Sequence, residues 1–247
     1  MVPRTIHQIW LGKDPLPEDF AAYVETWRRN HPHWEHRLWT EDNLPAELRR
    51  PEVRERIRHP VERADILRLE LLWRHGGVYV DVDFECRRPL DPFIGDAEFF
   101  TAYLKPKNIV KARERVNNAF IGSVPGHPLL DRALDELRPQ EWYGFEKGCS
   151  GSDFFNALVK QFPEVTILDA ELVYPNSPAQ EAEAICVHHF ARSWADAEGF
   201  RKLAYRAEKR LHEVRGQLER EEQAHAETKR QLKQKKGRRK SIVPGLR

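Results

Sequence analysis

The run Ala64-Asp65-Ile66-Leu67-Arg68-Leu69-Glu70-Leu71-Leu72-Trp73-Arg74-His75-Gly76-Gly77-Val78-Tyr79-Val80-Asp81-Val82-Asp83 changes its period half-way along. Between Pro60 and Gly76 the apolar positions Val61, Ala64, Ile66, Leu67, Leu69, Leu71, Leu72 and Trp73 are too dense for a one-sided stripe. This density predicts a helix buried around most of its circumference. Gly76-Gly77 supplies an end to it, because glycine adopts a left-handed cap at no steric cost. Beyond the glycines Val78, Val80 and Val82 alternate with Tyr79, Asp81 and Asp83, which predicts a strand over 78–83 with both aspartates on one face.

Two carboxylates at i and i+2 near the end of a buried strand repel each other, and burial disfavours their charged forms. A divalent cation resolves the conflict, and Mg²⁺ or Mn²⁺ prefers such oxygen ligands while keeping positions open for phosphate and water. Alone, D-x-D is a weak signal, since solvated loop aspartates produce it by chance. Asp65 and Arg68 stand three apart on the otherwise apolar helix and so share a face. Two readings stay open for them: a plain ion pair, or groups aimed at a polar ligand such as sugar hydroxyls.

Working outward, Thr5–Trp10 reads as a first strand, 18–30 as a helix and His36–Trp39 as a second strand. Strands follow at Glu98–Tyr103, Ala119–Ser123, Val165–Leu168 and Ala184–Phe190, with helices at 127–137 and 151–161. The alternation predicts the α/β class.

The formal charge of +2 is the difference between +8 in residues 229–240 and −6 over all the others. Basicity is thus a tail property, and the tail lacks interleaved aromatic residues, so no nucleic-acid partner is expected. No stretch approaches the roughly 18 apolar residues of a membrane span, and the start lacks the apolar segment of a secretory signal. The expected location is cytoplasmic, with the basic tail suited to peripheral contact with the inner membrane face. Cys86, Cys149 and Cys186 are odd in number and widely spaced, which fits neither a disulfide framework nor a zinc cluster, so reduced thiols are expected. From about Glu198, Phe200, Leu203, Ala207, Leu211, Val214 and Leu218 recur at spacings of three and four, an extended polar helix suited to packing on the domain or to self-association.

The run A-D-I-L-R-x-x-x-L-x-x-x-G-G-V-Y-x-D-x-D resembles the signature of the glycosyltransferases with a DXD sugar-binding region, family 32, which includes outer-chain α-mannosyltransferases and capsule-type sugar transferases. The opening P-R-T-I-H-Q-I-W-L-G, residues 30–34 (N-H-P-H-W) and 188–194 (H-H-F-A-R-S-W) match the same family in the expected order. The resemblance implies a GT-A nucleotide-binding fold, a single mixed sheet flanked by helices, over residues 1–197. An extended helix over 198–228 and a basic, disordered tail over 229–247 would follow.

It further implies a hexosyltransferase that uses Mn²⁺ or Mg²⁺ and a UDP- or GDP-sugar, acting with retention on a glycan, lipid-linked or protein acceptor. Asp83 would be the principal metal ligand, with Asp81 on the donor ribose, the sugar or the metal. Trp10 would stack on the base, while Asp65, Arg68 and Asn118 would hold the sugar. Tyr79 shares the aspartate face. His188, His189 or Ser193 would complete the metal shell, His188 being preferred, and Ser193 and Trp194 would meet the diphosphate. Where many relatives carry T-G-P, this chain has Lys147-Gly148-Cys149-Ser150-Gly151-Ser152-Asp153, in which Asp153 either positions an acceptor or, the favoured expectation, caps the following helix. The competing readings are a phosphohydrolase, whose D-x-D belongs on a first strand, and an inactive sugar-nucleotide-binding or scaffold protein on the same fold.

Overall fold

In the computed structural model the residues described are 1–11, 14–51, 60–104, 115–137 and 151–191. The predicted core helix is present as α2 (Pro60–His75), preceded by β1 (Thr5–Ile9), α1 (Glu18–Asn30) and β2 (Glu35–Trp39). Ile66, Leu67, Leu69, Leu71 and Leu72 of α2 are buried, as the apolar density requires. Each such side chain contributes about 1.5–3 kcal/mol of transfer free energy, and truncating Leu71 to alanine would cost about 2–5 kcal/mol. Gly76 and Gly77 follow with φ of +62° and +96°. A β-carbon on Gly77 would stand 2.6 Å from the Thr5 carbonyl oxygen, so glycine is required for conformation and for space alike.

Then come β3 (Gly77–Val80), β4 (Phe84–Cys86), α3 (Asp91–Ile94), β5 (Phe99–Tyr103), β6 (Val116–Ser123), α4 (Pro128–Glu136) and α5 (Ser152–Val159). The last described elements are β7 (Thr166–Leu168), α6 (Ala170–Val173), α7 (Pro178–Glu183) and β8 (Cys186–His188). Six strands form one mixed sheet in the order β2-β1-β3-β6-β5-β7. β1 runs parallel to β2 and β3, β6 is antiparallel to β3 and β5, and β7 is parallel to β5. The α/β expectation of one mixed sheet flanked by helices is met.

The period of two divides the core between the faces of this sheet. Tyr79 and Ile121 pack with α2, α4 and α5 on one side. Val78, Val80 and Phe120 pack with Trp27 of α1, Phe84, Cys86, Val173 and Cys186 on the other. The second face therefore carries a two-stranded antiparallel sheet, β4 with β8, which the sequence did not announce.

The 78–83 strand is corrected. Pairing ends at Val80, and the Phe84 amide donates to the Asp81 carbonyl oxygen at 3.2 Å, so Asp81–Phe84 is a tight turn into β4. The aspartates converge because the chain folds back there, not because a strand alternates. Trp10 likewise lies just past β1. Among the described residues no helix is long and apolar enough to cross a membrane. The expected helix over 198–228 and tail over 229–247 lie outside the described residues.

Candidate active site

β1 and β3 are parallel neighbours, with His7 opposite Tyr79, and Trp10, just past β1, packs with Val82, just past β3. Their carboxyl ends therefore lie side by side, at the end of the sheet where ligands of such sheets usually bind. Trp10 packs with Phe20, Val24 and Val82, its ring edge-on to Phe20 at 5.8 Å, and its indole N–H donates to the Asp14 carbonyl oxygen at 2.9 Å.

Beside these strand ends lies a charged network. Arg68 Nη2 is 3.0 Å from Asp65 Oδ1, and Arg68 Nη1 is 3.4 Å from Asp81 Oδ1. The same Nη1 donates to the Asn118 carbonyl oxygen at 2.7 Å, and Asn118 Nδ2 donates to Asp65 Oδ1 at 2.8 Å. Tyr79 Oη donates to Asp81 Oδ1 at 2.6 Å, and the guanidinium rests over the Tyr79 ring at 4.6 Å. The plain ion pair between Asp65 and Arg68 thus exists, but it is one edge of a larger set reaching the D-x-D turn. Burial raises the Asp65 pKa to about 6 against the opposing pull of Arg68 and Asn118. Burial also raises Tyr79, which keeps it a donor to Asp81.

Asp83 is held by the chain that returns in β8. His188 Nε2 lies 3.2 Å from Asp83 Oδ1, and the Ala191 amide donates to Asp83 Oδ2 at 2.9 Å. Burial works to raise the Asp83 pKa, but the His188 contact and backbone amides prevail and hold it below the usual carboxylate value. His188 stacks flat on Phe84, with centroids 4.2 Å apart. His189 turns to the other side, where it stacks on Tyr23 at 4.3 Å and meets Glu85 at 3.2 Å.

One ligand atom each from Asp81, Asp83 and His188 lies within 4.8 Å of the others. Counting Asp65, Asp81 and Asp83 against Arg68 gives the cluster a formal charge of −2 with His188 neutral. Two carboxylates and one imidazole, mostly hard oxygen donors, fit Mn²⁺ or Mg²⁺. Gly151 lies close to Asp65, since a β-carbon there would be 3.5 Å from Asp65 Oδ2. Gly151, not Asp153, is the N-cap of α5, and Asp153 sits in its first turn and pairs with Arg115. The capping expectation for Asp153 is therefore overturned. Ser193 and Trp194 lie outside the described residues.

The sequence reading missed three neighbours. Tyr23 pairs with His189 by stacking. The Tyr174 hydroxyl is buried with no hydrogen-bond partner among the described residues. Phe190 is 48% exposed and has φ of 49°, an uncommon conformation for a non-glycine residue. Only the adjacency of Phe190 to the two histidines could have flagged any of them. Two histidines in the motifs that carry the resemblance serve structure instead. His7 bridges Trp39 and the Gly76 carbonyl oxygen, and His31 bridges Trp27 and the Leu90 amide.

Residues 17–100 match the family model described as the glycosyltransferase sugar-binding region containing the DXD motif. The matched segment contains the D-x-D turn at Asp81–Asp83. It spans α1 through β5 and includes the whole Asp65–Asp83 constellation. The chain is 32% identical over 173 residues to mannosyl phosphorylinositol ceramide synthase SUR1 of Saccharomyces cerevisiae, across 66% of this chain and 43% of that protein. It is 28% identical to inositol phosphoceramide mannosyltransferase 1 of Schizosaccharomyces pombe, across 55% of this chain and 43% of that one. It thus spans less than half the length of these curated relatives. An uncharacterized glycosyltransferase, L373, of Acanthamoeba polyphaga mimivirus is 27% identical across 79% of this chain and 84% of its own.

Among solved structures, a glycosyltransferase involved in glycosylation of the major capsid of PBCV-1 aligns with a TM-score of 0.48 at 12% identity, over 77% of this chain and 94% of that one. The PaToxG glycosyltransferase aligns with a TM-score of 0.47 at 15% identity, over 65% and 69%.

Proposed function

We propose that this chain is a metal-dependent hexosyltransferase that moves a sugar from a UDP- or GDP-sugar to a hydroxyl acceptor with retention of configuration. The observation that carries the reading is the convergence of Asp81, Asp83 and His188 at the carboxyl ends of β1 and β3, with Asp65, Arg68 and Asn118 directly behind. Mannose is the first sugar to test, because the names of the yeast relatives specify mannosyl transfer.

A divalent ion bound there would neutralise charge on the departing nucleoside diphosphate. The chain's own part is orientation. Trp10 would stack on the base, with Tyr79 fixing the Asp81 carboxylate. Asp65, Arg68 and Asn118 would hold the sugar hydroxyls, restricting the donor before reaction. Asp65 and Asp81 both contact Arg68, and a carboxylate held by a guanidinium is a poor nucleophile, which favours attack on the departing face over a covalent adduct. The leaving phosphate would accept the acceptor's proton. Gly151, beside Asp65, borders the side from which an acceptor would approach. The acceptor class is a glycan, a lipid-linked sugar or a protein hydroxyl.

The test is hydrolysis of a panel of UDP- and GDP-sugars with Mn²⁺ in the absence of acceptor, wild type beside Asp83→Ala. Turnover of one donor, abolished by chelation and by the substitution, is expected. No turnover together with no Mn²⁺-dependent donor binding would reject the enzymatic reading in favour of an inactive fold.

A further inference from the structure

Cys86 and Cys186 lie 100 positions apart in the chain yet face each other directly across β4 and β8. Both are buried free thiols, and nothing in the proposed chemistry uses them. The hydrogen bonds of the ladder define the kind of position they occupy. The His189 amide donates to the Asp83 carbonyl oxygen at 3.0 Å, and the Arg87 amide donates to the Ile185 carbonyl oxygen at 2.8 Å. Bonded and non-bonded pairs alternate along an antiparallel ladder. The pairs Asp83/His189 and Arg87/Ile185 are bonded, so Phe84/His188 and Cys86/Cys186 are the non-bonded ones.

Two further facts agree. The Cys86 amide donates to Thr26 Oγ1 at 2.8 Å instead of across the ladder, and the Phe84 and His188 rings stack face to face. Facing residues at a non-bonded position stand about 4.5 Å apart at Cα. That lies at the short end of the roughly 4.4–6.8 Å that a disulfide spans. Their side chains also point to the same side of the ladder, into one cluster with Phe84, Tyr174 and Ile185.

We propose that Cys86 and Cys186 form a redox-reversible disulfide that staples β4 to β8. The staple would join the segment that leaves Asp83 to the segment that arrives at His188. In the reaction both S–H bonds break and one S–S bond forms. The two electrons and two protons pass to a low-molecular-weight disulfide such as oxidised glutathione, which becomes two thiols. Both thiols are buried, so attack on an external disulfide requires the short ladder to open. Exchange in the folded protein is therefore slow, and oxidation during folding is the faster route.

The full chain is equilibrated in glutathione buffers of graded reduced-to-oxidised ratio, both folded and while refolding from urea. It is then quenched in acid, blocked with a maleimide and mapped by mass spectrometry. The expected result is a linked pair of peptides containing Cys86 and Cys186, lighter by about 2 Da than the two thiol peptides together. The oxidised form is expected to unfold at higher urea than the reduced form, a difference absent from Cys186→Ala. Blocking of both cysteines at the most oxidising ratio on both routes would overturn the proposal. So would a dominant link from either cysteine to Cys149.

Discussion

Asn118 Nδ2 donates to Asp65 Oδ1 across 2.8 Å, joining β6 to α2 through residues 53 positions apart. The Asp65 side chain is only 13% exposed, so this bond partly replaces lost water. Asn118→Ala is expected to reduce folding stability by about 1–3 kcal/mol in urea titration. It is also expected to lower donor turnover by on the order of 10–100-fold, because Asp65 and Arg68 lose their fixed geometry. Unchanged turnover in a folded variant would separate this network from the chemistry.

The two adjacent histidines should behave differently. His188 faces Asp83, whereas His189 faces Glu85 and Tyr23. In calorimetric titration with Mn²⁺, His188→Ala is expected to weaken binding by about 10–100-fold and Asp83→Ala to abolish it. His189→Ala is expected to leave the affinity close to wild type. Equal losses from both histidine variants would mean that the ion is not held as proposed.

Stability should fall in mild acid through His7. The Trp39 indole N–H donates to His7 Nδ1 at 3.0 Å, so Nε2 carries the ring proton and donates to the Gly76 carbonyl oxygen at 2.9 Å. Burial lowers the His7 pKa from 6.5 to about 4. The folded state therefore favours the neutral ring, and the unfolded state binds the proton more readily. The contribution is fully present above pH 6.5 and is lost progressively as pH falls towards 4, by about 3 kcal/mol for this one group. Urea midpoints from pH 7.5 to 4 should show this slope, and His7→Gln, although less stable at neutral pH, should show a flatter one.

Gly77→Ala is expected to destabilise by about 2–4 kcal/mol, since it combines a positive φ with a clash against backbone. The clash partner is the Thr5 carbonyl oxygen on neighbouring β1, which cannot move without disturbing the pairing with β3. Thermal unfolding checks this. A fall of less than 2 °C would show that the turn relaxes at little cost.

The sequence alone determined the elements whose pattern is local. Apolar density between Pro60 and Gly76, the double glycine and the alternating Val78-Tyr79-Val80 all became a buried helix, a left-handed turn and a two-faced strand. These depend on residues a few positions apart, where side-chain direction follows from backbone period. It also placed Asp81 and Asp83 together. Only the tertiary structure decided how those groups meet. The turn at Asp81–Phe84 exists because β4 leaves the main sheet to pair with β8, a contact across about a hundred residues that no local period encodes. Arg68 became the shared partner of Asp65 and Asp81 because α2 packs across β3 and β6. Cys86 met Cys186 for the same reason as Asp83 met His188: antiparallel pairing adds register between distant segments, and register is a property of the folded chain.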